Sequence, residues 1–378
     1  MPRETNRAIG GPVTAPFPPA TRYLRSTPGT TLWGYLPGED DAPVLTVDPG
    51  DQVTIDTVSH EGILEDQGRD PVGFFGRHGV DPADVLPDAI EIAARAEHLA
   101  GGGPHVITGP IAVRGAMPGD RLVVRVGELR PRAGYGIVSS RHGRGVLPDR
   151  FPAHGPVTSV FCRAEDGYGL LPLRPGAAGF AGDGAELARF PLAPFLGIMG
   201  VTPAGRARRH TVPPGEFGGN LDITLLGCGS VLFLPVQVPG AGFYVGDPHY
   251  AQGNGEIALT ALEAPLTATL TLGLLEAGRA REYFGAVTGP VALTADYVVP
   301  TGLDPDLDVA VARCATNAVE LLGARFGMAA EHAYAYLSAA TDFDISQVVD
   351  QVKGVHARIR RADFPGGAGF PWGADGPW

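Results

Sequence analysis

Apolar and polar residues alternate in several short stretches of the chain, and this two-residue period predicts β-strands. The clearest strands are predicted at residues 231–238, 241–245, 256–264 and 266–274, and the alternation in the last predicts a sheet with one polar face. Earlier in the chain, Pro49-Gly50-Asp51 and Pro118-Gly119-Asp120 each separate two apolar runs. Proline followed by glycine favours a type II turn, so two β-hairpins are predicted there.

Helical spacing of apolar residues appears in three other places. It predicts a helix over residues 87–99, a second that begins with Asp304 as its cap and Pro305 at its first position, and a third over residues 328–340. Residues 131–200 have no clean period and are expected to form loops and short strands. The predicted fold class is therefore mainly β, with β-sandwich or barrel units, a smaller α/β portion and C-terminal helices.

This pattern suggests five consecutive parts. We expect an N-terminal arm (1–40), a β-rich unit (41–200), a second β-rich unit with a polar segment (201–300), a helical or α+β part (301–363) and a flexible Gly/Pro-rich tail (364–378). The 55 glycines and 36 prolines are spread over all 378 residues without a period, which fits many short strands joined by turns.

Charge and cysteine content narrow the function classes. A net charge of −12 disfavours nucleic acid as a partner, and no apolar run is long enough for a membrane span. The three cysteines, Cys162, Cys228 and Cys314, are widely spaced and form no CxxC pair. They are expected to be buried reduced thiols, and the protein is expected to be cytoplasmic.

The densest polar segment is GDPHYAQGNGE, residues 246–256, which contains Asp247, His249, Gln252, Asn254 and Glu256. It follows an apolar run and a Pro-Gly turn, so Asp247 and His249 are expected to emerge from a strand end. Asp and Asn next to glycine commonly cap turns, which is the structural alternative. Burying three ionisable groups costs several kcal/mol, so a functional site is favoured for Asp247, His249 and Glu256 together.

Two further polar clusters are candidates for the same site. One is Ser59-His60-Glu61, and the other, residues 210–223, contains His210, Glu216, Asn220 and Asp222. Carboxylates and imidazoles are common ligands of zinc or manganese, whereas carboxylates with amide oxygens suit calcium. None of the clusters contains a motif as diagnostic as HExxH.

Several of these strings resemble the acetamidase/formamidase family. They are GGNLDI, GCGSVLFLPVQVPGAGFYVGDPHYAQGNGE with the downstream Glu263, PHVITGPIAVRGAMPGDRL, PGDQVTIDTVSHEG and AYAYLSAATDFDISQVVDQVKGVHARI. The resemblance implies hydrolysis of a small carboxamide to a carboxylate and ammonia, a divalent metal such as zinc or calcium, and a homodimer or higher homo-oligomer. Asn254 departs from the aspartate usual in the family at that position, which would weaken a metal site that used it.

Other amidase designs do not fit the chain. Lys353 is the only lysine, and no serine or cysteine follows it, which excludes the usual order of the nitrilase-type and amidase-signature catalytic groups. No GxSxG motif is present. Residues 253–258 match GxGxxA but precede a β-like run instead of opening a helix, so no nucleotide cofactor is expected.

The resulting hypothesis gives each candidate a role. Glu256 is the general base, and Asp247, His249 and Asn220 complete the catalytic set. The other assignments are metal ligation by Asp222, Asp247, His249 and His60, and substrate binding by Gly218, Gly219, Gln252 and His105.

Two alternative functions remain open at this point. The same site could hydrolyse a cyclic amide such as a γ-lactam. The second alternative is a β-sandwich that binds a small ligand or carbohydrate without catalysis. A sugar site would favour exposed tryptophans, but Trp33, Trp372 and Trp378 all lie outside the polar clusters.

Overall fold

Two β-sheets form the body of the fold in the computed structural model, which describes residues 22–174 and 186–364. Within these ranges, the strands are, in chain order, β1 (Arg22–Leu24), β2 (Thr31–Trp33), β3 (Leu45–Val47), β4 (Asp51–Asp56), β5 (Val106–Val113), β6 (Arg121–Pro131), β7 (Tyr135–Arg141), β8 (Val157–Glu165), β9 (Tyr168–Pro172), β10 (Leu187–Pro191), β11 (Phe195–Val201), β12 (Gly218–Asn220), β13 (Val231–Pro235), β14 (Phe243–Ala251), β15 (Leu262–Glu263), β16 (Leu266–Leu275), β17 (Val291–Leu293), β18 (Tyr297–Asp304), β19 (Asp342–Gln347) and β20 (Lys353–Arg360).

The α-helices of the described residues are α1 (Pro71–Gly76), α2 (Pro87–Arg95), α3 (Ala277–Phe284), α4 (Leu307–Phe326) and α5 (Ala330–Ala340). None of them is both long and apolar enough to cross a membrane.

Nine of the described strands form the first sheet, in the order β1-β4-β16-β6-β13-β17-β18-β20-β19. The second sheet follows the order β10-β9-β8-β7-β15-β14-β11-β12, and β5 joins it through β14 and pairs with β2 and β3. Pairing is antiparallel except between β1 and β4 and between β3 and β5. Strands from the N-terminal, central and C-terminal parts of the chain are mixed in the first sheet, and the five-part division remains a prediction.

The main core lies between the two sheets. On β13, Leu232 and Leu234 point into this core, whereas Val231 and Phe233 face the other side, where Leu321 of α4 packs. The alternation places each apolar face of the first sheet against a different layer. The molecule is thus a sandwich with a helical layer on one outer face, and the predicted fold class is confirmed.

The two Pro-Gly-Asp turns form as predicted, but they do not make hairpins. Gly50 and Gly119 have φ values of 96° and 101°, the conformation that a type II turn requires of its third residue. However, β3 and β5 belong to the second sheet, whereas β4 and β6 belong to the first. Each turn therefore carries the chain from one sheet to the other, and the hairpin prediction is wrong.

The strand predictions around the polar segment also need correction. The strand that was expected at residues 241–245 is β14, which continues to Ala251, so Asp247 and His249 lie on the strand and not beyond its end. The strand expected over residues 256–264 shrinks to β15, two residues long, because residues 256–259 form a turn closed by a hydrogen bond from Leu259 N to Glu256 O. The alternation in β16 is confirmed, since buried and half-buried residues alternate along most of its length.

The predicted helices are present with shifted ends. The helix expected over residues 87–99 ends at Arg95, and α4 begins two residues later than expected. Its cap is Asp306, which accepts hydrogen bonds from the amides of Asp308 and Val309, whereas Asp304 ends β18 and binds Arg313. Within residues 131–200, β9 and β10 are short strands of five residues, as expected, whereas β7, β8 and β11 are longer, with seven to nine residues.

Other expectations have mixed outcomes. Cys162 and Cys314 are buried as predicted, but Cys228 is exposed. Part of the N-terminal arm pairs at the edge of the first sheet, where β1 lies beside β4. The tail beyond residue 364 lies outside the described residues, as do residues 1–21.

Candidate functional site

The second sheet gathers the candidate residues around β14. Asp247 and His249 are two residues apart on this strand, which is bordered by β11 on one edge and by β5 and β15 on the other. His105 immediately precedes β5, and Glu263 on β15 is the direct cross-strand partner of His249. His60 follows β4 of the first sheet. Four strands from distant parts of the chain therefore bring these five side chains together.

Three more carboxylates reach the cluster from loops. Asp222 follows β12, and its amide donates to the carbonyl of Gly197 at 3.2 Å. Glu256 lies in a turn whose Gly255 pairs with the end of β19, and Asp350 comes just beyond that strand. One oxygen each of Asp222, Glu256 and Asp350 lies within 4.8 Å of the others.

The distances describe a compact, buried group centred on Asp247. His249 Nε2 lies 3.2 Å from Asp247 Oδ2 and 3.1 Å from Glu263 Oε1. On the other side, Asp247 Oδ1 lies 3.5 Å from His60 Nδ1 and 3.7 Å from His105 Nε2. The two oxygens of Asp247 thus face different imidazoles.

Outer partners orient two of the histidines. His60 Nε2 lies 3.4 Å from Glu61, and Glu61 also accepts hydrogen bonds from Arg141 and from Ser139, the latter at 2.8 Å. His105 Nδ1 lies 3.1 Å from the hydroxyl of Thr211. In each case one ring nitrogen is engaged away from the cluster and the other faces Asp247. Outer contacts of this kind fix the orientation of metal-binding histidines.

Many buried polar atoms of the cluster have no well-aligned hydrogen-bond partner among the described residues, and this holds for His249 Nε2 although two carboxylate oxygens lie within 3.2 Å of it. They are His60 Nδ1, both ring nitrogens of His249, both oxygens of Asp222, Asp247 Oδ1, Glu263 Oε2, Asp350 Oδ2 and Asn220 Oδ1. Buried polar groups are nearly always paired, because an unpaired one costs about 1–3 kcal/mol. Four overlapping sets of three residues in this cluster offer ligand atoms close enough for one cation. The donor set therefore fits a divalent metal.

Backbone geometry at the cluster is unusual. Asp222, Asp247 and Glu256 all have positive φ, between 49° and 51°, a region that costs energy for residues other than glycine. Gly197 on β11 leaves the space that Asp222, Asp247 and His249 occupy. A Cβ there would lie 2.6 Å from Asp222 Oδ1, 2.7 Å from Asp247 Oδ2 and 2.8 Å from His249 Cε1. The site therefore requires a residue without a side chain at position 197.

The electrostatics indicate an excess of negative charge. Burial raises the pKa of Glu256 well above its usual range, and the Asp222 carboxylate adds to this. Burial likewise raises the pKa of Asp350, with Glu256 as the second cause. At His60 burial favours the neutral form, but Glu263 and neighbouring carboxylates outweigh it and raise the pKa to about 10. A proton or a cation is needed to balance these acids.

A cavity of about 630 Å³ opens onto the cluster. His60, His105, Asn220, Asp247 and Glu256, all singled out from the sequence, line it. Its outer wall is formed by residues that include Glu65, Asp66, His98, Arg144, His210 and Lys353. The cavity gives a small molecule access to the buried acids and imidazoles.

Several predicted site residues lie elsewhere. Gly218 and Gly219 pair with β11, and the Gly218 amide already donates to the carbonyl of Gly215. Gln252 donates to the carbonyl of Asp222 at 3.0 Å and so supports that loop. Asn254 is exposed and accepts a hydrogen bond from Thr224, so its difference from the family's usual aspartate falls outside the cluster.

Sequence reasoning assigned no site role to Glu263, Asp350 or Gly197. A sequence signal exists for Glu263, because it is a charged residue at the start of an apolar run. An acid at such a position is unlike an ordinary solvent-exposed acid. Asp350 and Gly197 offer no comparable local signal, because their roles arise from contacts with residues that are distant in the sequence and that only the fold brings together.

Comparison with known proteins adds independent information. The model of the acetamidase/formamidase family matches residues 92–209 and 201–359, which is most of the chain. A formamidase of Methylophilus methylotrophus is 29% identical over 301 residues, covering 65% of this chain and 73% of that protein. An acetamidase of Mycolicibacterium smegmatis is 29% identical over 301 residues, covering 62% and 73%. A protein of Schizosaccharomyces pombe, provisionally named a formamidase, is 32% identical over 215 residues, and the match spans 46% of this chain and about half (52%) of that relative.

Solved structures share the fold. The acetamidase of Bacillus halodurans superposes with a TM-score of 0.69 at 23% identity, covering 90% of this chain and 98% of that one. A gamma lactamase from Delftia acidovorans gives a TM-score of 0.52 at 23% identity, covering 89% and 90%.

Proposed function

Since the chain belongs to the acetamidase/formamidase family, we propose that it hydrolyses the C–N bond of a small linear amide to a carboxylate and ammonia. Its relatives include proteins named formamidase and acetamidase. The observation that carries the proposal is the convergence of three imidazoles and several carboxylates around Asp247, at the wall of an open cavity.

We propose zinc as the metal. Of the ligands predicted from the sequence, Asp222, Asp247 and His249 form one set with ligand atoms close enough for a single ion, and His60 and Asp247 form a second set with His105. Zinc binds imidazole nitrogen and carboxylate oxygen, whereas calcium prefers oxygen ligands alone. Three histidines in the cluster therefore favour zinc. When bound, zinc polarises a carbonyl oxygen and lowers the pKa of a bound water.

Side chains of the protein accept and donate the protons of the reaction. Glu256 accepts the proton of the attacking water and then gives it to the leaving nitrogen. Its raised pKa makes it a stronger base than an exposed carboxylate. Asn220, which lines the cavity, donates from its side-chain amide to the developing oxyanion. The amide of Gly218 is already bonded to Gly215, so Asn220 is the better candidate for this donor.

Ammonia release from formamide, acetamide and longer amides tests the proposal. We expect activity in the zinc-loaded enzyme, loss after chelation and recovery when zinc is added back. Full turnover by metal-free protein would refute the metal assignment. Glu256→Gln should reduce kcat at least about 100-fold, because general-base catalysis contributes at least that much. The matched control is Glu216→Gln, at an exposed position outside the cavity lining, which should behave like the wild type.

Two alternatives have weaker support. The likeness to the Delftia gamma lactamase concerns the fold, and faster hydrolysis of 2-pyrrolidinone than of acetamide would favour a lactam hydrolase. A carbohydrate site would favour exposed tryptophans, but Trp33 is buried and stacks on His98, and Trp372 and Trp378 lie outside the described residues. A homodimer or higher oligomer is proposed from the family resemblance alone, and a cytoplasmic location from the sequence pattern described above.

A further inference from the structure

The outer wall of the cavity carries a cation that the proposed chemistry does not use. Arg144 lies on a loop fixed by two backbone hydrogen bonds, from its own amide to Arg141 O at 3.0 Å and from Val146 N to Ile257 O at 2.9 Å. Its side chain lines the cavity. Across residues 22–174 and 186–364, no carboxylate forms a salt bridge with it.

His210 lines the same cavity and adds a second donor. The amide of Val212 donates to His210 Nδ1 at 3.1 Å, so Nδ1 must be the acceptor nitrogen of the ring. Burial lowers the pKa of His210, and the charge of Arg144 lowers it further, which indicates a neutral ring close to the guanidinium. The remaining proton then lies on Nε2, which can only donate. No described residue accepts a hydrogen bond from this nitrogen.

The acidic groups of the outer wall already have partners. Asp66 is bound by Arg141 at 3.0 Å and by His142 at 3.2 Å. Glu65 is bound by His98 at 2.9 Å. Arg144 therefore has a charge that its neighbours do not cancel, although the chain as a whole is acidic. The inner end of the cavity is rich in carboxylates, so its two ends differ in charge.

The cavity is also larger than a one- or two-carbon amide needs. Its volume of about 630 Å³ lies within the range of about 300–1,000 Å³ typical of sites for much larger ligands. The same cavity is lined by the acid and imidazole cluster and by Arg144, so it has room for a substrate longer than acetamide.

We propose that the preferred substrate is a short-chain amide that carries a carboxylate at its other end, bound by Arg144 and His210. This inference rests on the proposed amide hydrolysis. Water adds to the amide carbonyl carbon, the C–N bond breaks, and the nitrogen leaves as ammonia with its two hydrogens and the proton that Glu256 took from the water. The products are a dicarboxylate and ammonia. An Arg–carboxylate pair is among the strongest polar contacts, because the guanidinium can donate two parallel hydrogen bonds.

The test compares amides of equal chain length with and without the carboxylate. Ammonia release is measured for succinamate against butanamide, and for glutaramate against pentanamide, with the zinc-loaded enzyme. We expect kcat/KM to favour each carboxylate-bearing amide at least about tenfold, and Arg144→Gln to reduce that ratio about tenfold. Arg144→Lys should restore part of the preference. Arg150→Gln, at an exposed residue outside the cavity lining, is the control and should keep the wild-type ratio.

The outcomes separate this inference from the proposed function. Equal turnover of charged and neutral amides, or an equal loss for both in Arg144→Gln, would overturn the carboxylate subsite while leaving amide hydrolysis intact. If no amide is hydrolysed, the proposed function fails, and calorimetric titration with succinate decides the subsite. Binding that Arg144→Gln weakens would support the subsite, and absence of binding would overturn it.

Discussion

Replacing Gly197 with alanine tests whether the site depends on the space beside β11. The added methyl carbon would lie 0.6–0.8 Å inside the 3.4 Å limit of ordinary contact with Asp222, Asp247 and His249. The backbone cannot easily retreat, because the Gly197 carbonyl accepts hydrogen bonds from the amides of both Leu221 and Asp222. The side chains of the cluster must therefore move.

The expected effect is larger on function than on folding. Catalytic groups have to be held within about 0.5 Å of their working positions, and a misplacement of about 1 Å can cost about 100-fold in rate. We expect Gly197→Ala to lower kcat/KM about 100-fold and zinc affinity at least about tenfold. Overpacking of this size typically costs about 1–3 kcal/mol of unfolding free energy, so the variant should still fold.

Ammonia release, calorimetric zinc titration and urea unfolding measure the three effects separately. Gly253→Ala is the matched control, because a Cβ at this position, in the turn that leads to Glu256, meets nothing within 4 Å. If Gly197→Ala binds zinc and turns over substrate within twofold of the wild type, the site does not depend on the absence of a side chain at position 197, and the reasoning is refuted.

Two other substitutions test separate parts of the structure. Glu61→Ala removes one of the two carboxylates that bind the buried Arg141 guanidinium and leaves Asp66 as the other, so urea unfolding should show a loss of about 1–3 kcal/mol. Zinc affinity should fall about 10–100-fold because His60 loses its outer contact. Glu61→Gln should recover part of both, and wild-type zinc affinity in both variants would contradict the role. Gly302→Ala should cost about 3 kcal/mol or more, because a Cβ there would lie 2.1 Å from the carbonyl oxygen of Ala310 in α4. Gly278→Ala in α3 is the control, because the added Cβ has no atom within 4 Å. An unfolding midpoint that is the same for both glycine variants would disprove the close packing of α4 on β18.

Local features of the fold were predictable because their causes are local. The period of β16 follows from burial of one face, and the left-handed glycines of the two Pro-Gly-Asp turns follow from turn chemistry. The sheet partners were not predictable in this way. A turn fixes the direction of the chain over four residues, but whether the next strand pairs with the previous one depends on strands far away, such as β16.

The candidate site was predictable in part for the same reason. Asp247, His249 and Glu256 stand out because ionisable residues are concentrated in one segment. The continuation of β14 through that segment was missed, since a strand that lines a polar site lacks the apolar pattern of a core strand. Asp350 and Gly197 have no unusual sequence neighbours, and only the folded chain places them beside Asp222.

The order of the first sheet has a consequence for how the molecule assembles. Strands β4 and β6 are separated by β16, and the hydroxyl contact between Thr54 and Thr269 spans 215 residues of sequence. A nascent chain that ends before Leu266 therefore has two apolar strands with open edges and no partner between them. Such high contact order slows folding and exposes the chain to aggregation. Most of the polypeptide must be synthesised before the sandwich can close.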